Sequence, residues 1–349
     1  MSIRLPIRFI ATALVVLVAA LACAFAPALA QDPPAQPAQP DNGPVTLAWK
    51  FTKGETTTWR LKEVAVEETQ NSSETVRQTQ TTTITYTQTV EAVDAGIATL
   101  RLKYTSVKYE QQTTLNSATP VKFDSSNPED IQRAESDLAL KPFAALVGGS
   151  FTVKLTSLGE VKEVTGYSAM LERMFDGLND EVFVQLKVAL GKQFSDEAMK
   201  DTLGQLWRVV PDAAVTVGKS WNRKIVQPVM FIGKLQADQI YRLEKLDAVD
   251  GGTNAAIAVN TIYTRDDDGS TTPPGADALE GFRISGNAWS GNQKGTITFD
   301  VNAGKIRKSE LNTELNVELT ATSTGMAEQM QLAWSSKITG TVTLEQVKE

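Results

Sequence analysis

From Val45 to Val121 apolar and polar positions alternate along the chain. Leu47-Ala48-Trp49-Lys50-Phe51 puts an apolar side chain at every second position, Thr52-Lys53-Gly54-Glu55 turns, and Thr58-Trp59-Arg60-Leu61-Lys62 resumes the pattern. The run TQTTTITYTQTVEAV is rich in β-branched residues, and Asp94-Ala95-Gly96 leads into a strand in which Leu100, Leu102 and Tyr104 share one face and Arg101 and Lys103 the other. Alternation with period two predicts strands with one buried and one solvated face, the habit of an antiparallel sheet.

The period changes in the middle. Across Ser168 to Leu190, residues Leu171, Met174, Phe175, Leu178, Val182, Leu186, Ala189 and Leu190 recur at helical spacing, with Gly191 as a stop. Ser195-Asp196-Glu197 predicts the capped start of a second helix carrying Met199, Leu203, Leu206 and Trp207 inward as far as Pro211. Strand signals then return in their earlier order. Gly218 with Trp221 matches Gly54 with Trp59, the Ala248–Gly252 turn matches Ala92–Gly96, and Gly295–Val301 closed by Gly304 matches Gly149–Leu155 closed by Gly159. Strand turns commonly look alike, so the common order is what favours a repeat. The expected fold is mainly antiparallel β with a central helical segment (α+β), two similar β-rich halves forming a curved sheet or a sandwich.

These blocks place a first β-rich half at 45–167, a helical segment at 168–210 and a second half at 211–349. Ahead of them, residues 1–30 have the basic start (Arg4, Arg8), apolar core and Ala28-Leu29-Ala30 ending of a signal peptide, with cleavage expected after Ala30. Residues 31–44 hold five prolines and read as an extended linker. Cys23, preceded by Ala20-Leu21-Ala22, offers the alternative of lipidation, although Ala20 stands where a lipoprotein box favours Leu or Val. The expected location is therefore periplasmic or extracellular, with a membrane tether only if Cys23 is acylated or the apolar segment is kept.

Composition narrows the chemistry. There is no histidine, and Cys23 is the sole cysteine. Imidazole bases and His-containing metal sites are excluded outright, and loss of residues 1–30 excludes disulfides and thiolate sites as well. That loss would also leave 32 basic against 41 acidic side chains, a net charge of −9, with no basic cluster for nucleic acid.

Several short motifs resemble the bacterial secreted-protein family known as domain of unknown function 6263. They are Gly54-Glu55 with Trp59, Phe123-Asp124-Ser125, Leu146 to Val153 with Gly159 to Gly166, Val217 to Trp221, and Gly295 to Lys305. The resemblance implies an exported β-rich protein without an assigned activity, and it carries over no catalytic residue and no cofactor.

The remaining candidate chemistry is thin. Asp266, Asp267 and Asp268 could ligate calcium, yet Thr264 occupies the first position an EF-hand loop needs and no glutamate closes it, so a solvated hairpin tip is the simpler expectation. Glu67 with Glu68, and Asp124 with Glu129 and Asp130, are the acid pairs a glycan hydrolase would need. Trp49, Trp59, Trp221, Trp289 and Trp334 fall in the strand pattern, where they would fill a core or line a groove. The leading expectation is a non-catalytic envelope protein with a binding or structural role; the alternatives are a carrier of lipid or another apolar molecule, then a carboxylate-dependent glycan hydrolase. Mass spectrometry of the exported protein is expected to find Gln31 at the mature N-terminus; a diacylglyceryl group on Cys23 would contradict it.

Overall fold

The computed structural model describes residues 43–347 apart from 71–74, 115–118, 138–139, 175–194, 230–232, 250, 267–281 and 324–330. Twelve strands form one open, curved antiparallel sheet: β1 (Thr56–Gln70), β2 (Thr75–Asp94), β3 (Ile97–Thr113), β4 (Val121–Asp124), β5 (Ser150–Thr156), β6 (Val161–Thr165), β7 (Ser220–Val229), β8 (Gly233–Val249), β9 (Gly252–Asp266), β10 (Phe282–Asp300), β11 (Lys305–Ser323) and β12 (Gln331–Gln346). Their order is β6-β5-β3-β2-β1-β12-β11-β10-β9-β8-β7, with β4 beside β3.

The pairing of β1 with β12, from Trp59 opposite Gln346 to Gln70 opposite Ser335, joins what would otherwise be two meanders. No break in the sheet separates the two halves expected from the matched turns. Those turns, between β2 and β3, β5 and β6, β8 and β9, and β10 and β11, all lie at one end of the sheet, here called the lower end. Left-handed glycines mark each of them: Gly96, Gly159, Gly251 and Gly304.

Four helices are described: α1 (Pro128–Ser136), α2 (Lys141–Leu146), α3 (Tyr167–Met174) and α4 (Asp196–Trp207). Asn127 caps α1 and Pro128 opens it, with Glu129 and Asp130 in the positive first turn. Ser195 caps α4 as its position suggested, its Oγ accepting from the Ala198 amide. The helix ends at Trp207, ahead of Pro211. Of the long apolar stripe from Ser168, the part beyond Met174 up to Leu190 lies outside the described residues.

Helices α1 and α2 pack Ala134 and Phe143 against Ile84, Val107, Tyr109 and Phe123. Helices α3 and α4 bury Met170, Leu171, Met199 and Leu203 against β3, β5 and β6. A third core lies on β7–β11 around Tyr241, Leu243, Ile257, Ile297 and Phe299.

The lower end is closed by two crossing segments. The chain ahead of β1 runs across it: Val45 bridges Val215, the Trp49 amide donates to the Ser157 carbonyl, and the Lys50 amide donates to the Gly304 carbonyl. The stretch after α4 meets it there. The Trp49 indole donates to the Trp207 carbonyl at 2.8 Å, the Trp221 indole to Val209 at 3.1 Å, and Arg223 to Val210 at 2.9 Å. Helix α4 packs on edge strand β6 and touches edge strand β7, so this stretch bridges the two edges of the sheet.

Gly159 fixes that contact. Its φ is +79°, and an added Cβ would fall on the Trp207 carbonyl. Gly54 has a similar φ of +85° but open space around it. Gly54→Ala is expected to lose about 1 kcal/mol of unfolding free energy and Gly159→Ala at least about 2 kcal/mol more, read from denaturant midpoints. Equal losses would show that the contact at Trp207 yields freely.

Candidate functional site

The two faces of the sheet differ in kind. Outward positions on the central strands carry half-exposed ion pairs, among them Arg60 with Glu345, Arg77 with Glu68, Lys122 with Glu110 and Lys337 with Glu314. Inward positions are dominated by apolar side chains such as Leu243, Ile257, Ile297, Leu311, Val342, Ile84 and Val107.

One level of the inner face is mostly polar. Following the register strand by strand, Gln239 lies opposite Thr261, Thr261 opposite Gln293, Gln293 opposite Thr313, Thr313 opposite Gly340, Gly340 opposite Ala65, Ala65 opposite Gln80 and Gln80 opposite Gln111. The result is a girdle of glutamine and threonine across eight strands. The level below it holds Tyr241, Val259, Gly295, Leu311, Val342, Glu63, Thr82 and Tyr109.

The girdle is deeply set. Gln239, Thr261 and Gln293 are 0–1 % exposed and Gln80 is 3 % exposed. Each glutamine is anchored by a hydroxyl group: the Tyr241 phenol donates to Gln239 Oε1 at 3.1 Å, Thr261 Oγ1 to Gln293 Oε1 at 2.7 Å, and the Tyr109 phenol to Gln111 Oε1 at 3.0 Å, while Gln80 Nε2 donates to Thr82 Oγ1 at 3.4 Å. Burial pushes the Tyr241 and Tyr109 phenols well above their ordinary pKa, so both stay protonated and able to donate. For Tyr241 the nearby Arg223 acts in the opposite sense and does not prevail.

With their carbonyl oxygens engaged, the amide nitrogens of Gln239 and Gln293 have no hydrogen-bond partner. A buried donor left in that state costs about 1–3 kcal/mol. At the centre of the girdle stand its two smallest residues, Gly340 and Ala65. Around them Leu315, Ile338, Leu61 and Leu344 are only half-buried, so apolar inner surface remains accessible on the central strands.

The sequence candidates fall elsewhere. Glu67 and Glu68 point to opposite faces, Glu67 accepting from Thr69 and Glu68 pairing with Arg77 outside. Asp124 is a loop organiser: hydrogen bonds from Lys108 and Ser126 lower its pKa to about 2, and Asp130 accepts from its backbone amide. Glu129 sits in the first turn of α1, and its backbone amide donates to the Asn127 cap. None of these forms a facing acid pair. Asp266 ends β9, while Asp267 and Asp268 lie outside the described residues; no group of three or more metal-ligating side chains occurs among those described. Trp49, Trp59 and Trp221 belong to the lower-end core, Trp49 from an extended segment outside any strand, and Trp334 is half-buried on β12. Trp289 is placed in β10, its side chain outside the description.

Replacing Thr261 by Val is expected to cost about 1–3 kcal/mol, because it strands the whole Gln293 amide. The double change Thr261→Val with Gln293→Met is expected to recover wild-type stability or exceed it. Melting curves of the two variants check this; a double variant weaker than the single would show that the pair stabilises the fold.

No match was found among curated proteins by sequence. Among solved structures the chain is similar to lipovitellin, described for its lipid–protein interactions, at 9 % identity and a TM-score of 0.39 over 86 % of this chain; it spans 26 % of that one. It is also similar to an outer membrane channel of Pseudomonas putida F1, at 10 % identity and a TM-score of 0.23 over 86 % of this chain and 97 % of that one. The motifs noted in the sequence fall mostly within residues 95–306, the stretch matched by the family model of DUF6263, a family of unknown function, and the chain belongs to that family.

Proposed function

We propose that this is an exported, non-catalytic binding protein of the bacterial envelope that carries an apolar or amphipathic molecule against the inner face of its sheet. The observation that supports it is the distribution of polarity: apolar inside, ion-paired outside. A transmembrane barrel needs the reverse, an apolar outer band around a polar lumen. Arg60, Arg77, Lys337 and their partners on the outer face would each lose several kcal/mol of hydration in a bilayer, so the outer surface suits water.

The half-buried Leu61, Leu315, Ile338 and Leu344 give the inner face apolar area with which to hold such a molecule. A hydrolytic reading finds less support, since Glu68 is spent on an outer ion pair, Asp124 on a loop turn, and Glu129 and Asp130 stand in the first turn of a helix.

Organic extraction of the protein purified from its native envelope, followed by mass spectrometry, is expected to release an apolar compound in roughly one-to-one ratio with the chain. Repeatedly empty extracts, together with no rise in melting temperature on adding long-chain amphiphiles, would overturn the proposal.

A further inference from the structure

Resting on the reading of the inner face as a ligand surface, we infer that the phenols of Tyr86 and Tyr104 seat an uncharged hydroxyl head, so that the ligand is an apolar chain ending in an alcohol. Tyr86 of β2 and Tyr104 of β3 stand directly opposite each other in the register, with ring centroids 6.4 Å apart and ring planes at 67°. Elsewhere on the inner face the phenols of Tyr241 and Tyr109 are spent on Gln239 and Gln111. Those of Tyr86 and Tyr104 have no hydrogen-bond partner among the described residues, and unlike the Trp59 indole nitrogen on the neighbouring strand they are not sealed from solvent. A phenol in apolar surroundings normally finds a partner, so two adjacent ones without any are free to bind what enters.

Two observations make this place a concavity. Burial drives both phenols up, Tyr104 to about 12 and Tyr86 higher still with Tyr104 adding to the effect, so both lie deep in the molecule and keep their protons. Both side chains nevertheless remain only half-buried. The three cores meet at Tyr86; Tyr104 and Leu146 join the two helix-covered cores, while Phe51 and Trp207 join the core under α3 and α4 to that on β7–β11. All five keep exposed surface, so the cores stop short of filling the space between them.

The chemistry of the occupant follows from its neighbours. The level of the pair reads Gln346, Trp59, Tyr86 and Tyr104 across β12, β1, β2 and β3, with no charged side chain. No cation or carboxylate contributes to the shift of either phenol. An anionic head would give up its hydration there without a countercharge. A phenol both donates and accepts, and an alcohol does the same, so one phenol donates to the ligand oxygen while the other accepts its hydrogen. One inner step along the strands, about 7 Å from the pair, the half-buried Leu61 and Leu344 face each other, with Ile338 and Leu315 further along. These apolar positions hold the chain, and the phenols hold its end.

The test loads the full chain with diphenylhexatriene, a fluorescent hydrocarbon, and displaces it with 1-dodecanol or with dodecanoate at pH 8. The wild type is expected to bind dodecanol more tightly than dodecanoate. In the variant Tyr86→Phe with Tyr104→Phe dodecanol is expected to bind about tenfold more weakly, the worth of one well-made hydrogen bond, while the hydrocarbon probe binds as before. Dodecanol affinity that survives in the variant, or a wild type that prefers dodecanoate, overturns the inference and leaves the carrier reading intact. Binding of neither the probe nor dodecanol removes the carrier reading itself. Because the two hydroxyls hold no partner in the fold, the variant is expected to melt at the wild-type temperature or above it. A marked fall would show that they are spent on structure and would equally overturn the inference.

Discussion

An open sheet has two edges with unsatisfied backbone groups, and here both are tied to one short stretch after α4. The Trp207 carbonyl takes the Trp49 indole, the β5–β6 turn comes close enough at Gly159 to forbid a side chain, and Val209 and Val210 give their carbonyls to Trp221 and Arg223 of β7. Pro211 has no N–H to give the Trp207 carbonyl four residues before it, so α4 ends at Trp207 and that carbonyl is left to accept from the Trp49 indole. This contact closes the lower end of the sheet. No cysteine occurs among the described residues, and the contact is made by indoles and backbone carbonyls.

Buried polarity occurs both at the lower end and at the girdle. At the lower end Asp300 is held by Arg307 and by the Ala303 amide, which bring its carboxyl below the ordinary range although burial works against them, while the Trp59 indole, Arg223 Nε and Asn254 Oδ1 are buried there without a hydrogen-bond partner. At the girdle the matching stops halfway, with carbonyls engaged and amide nitrogens of Gln239 and Gln293 left over. The levels on either side are more apolar, with Val259, Leu311 and Val342 below and Tyr263, Leu315 and Ile338 above, although Glu63 and Glu67 lie among them. Unfinished hydrogen bonding in the middle of an apolar face costs folding free energy.

Much of the architecture was legible because strands with one apolar face announce themselves. Leu100 and Leu102 point inward and Arg101 and Lys103 outward, as their alternation required, and Ser195 caps its helix as its sequence neighbours suggested. Helix α1 was missed, although Asn127-Pro128-Glu129-Asp130 is a cap, a first-turn proline and two acids in order. The girdle was illegible for a different reason. In β2 both faces are polar, Gln80 and Thr82 inside and Thr79 and Thr81 outside, so composition could not say which set is buried. Only the register across eight strands brings Gln239 and Gln80 to one level from positions far apart in the chain. The single sheet was hidden likewise, since nothing local in β1 reveals that its neighbour is β12.

That last pairing has a consequence in time. The strand begun at Thr56 waits for Gln331–Gln346, nearly the whole length of the chain, before its second edge is filled. Closing so long a loop costs only modestly more entropy than closing a short one, but it postpones the event. A ribosome or a narrow translocation channel that delivers the chain from its N-terminus will have released β2 to β11 before the sheet can be completed. Until then that edge of β1 is an open template for other strands.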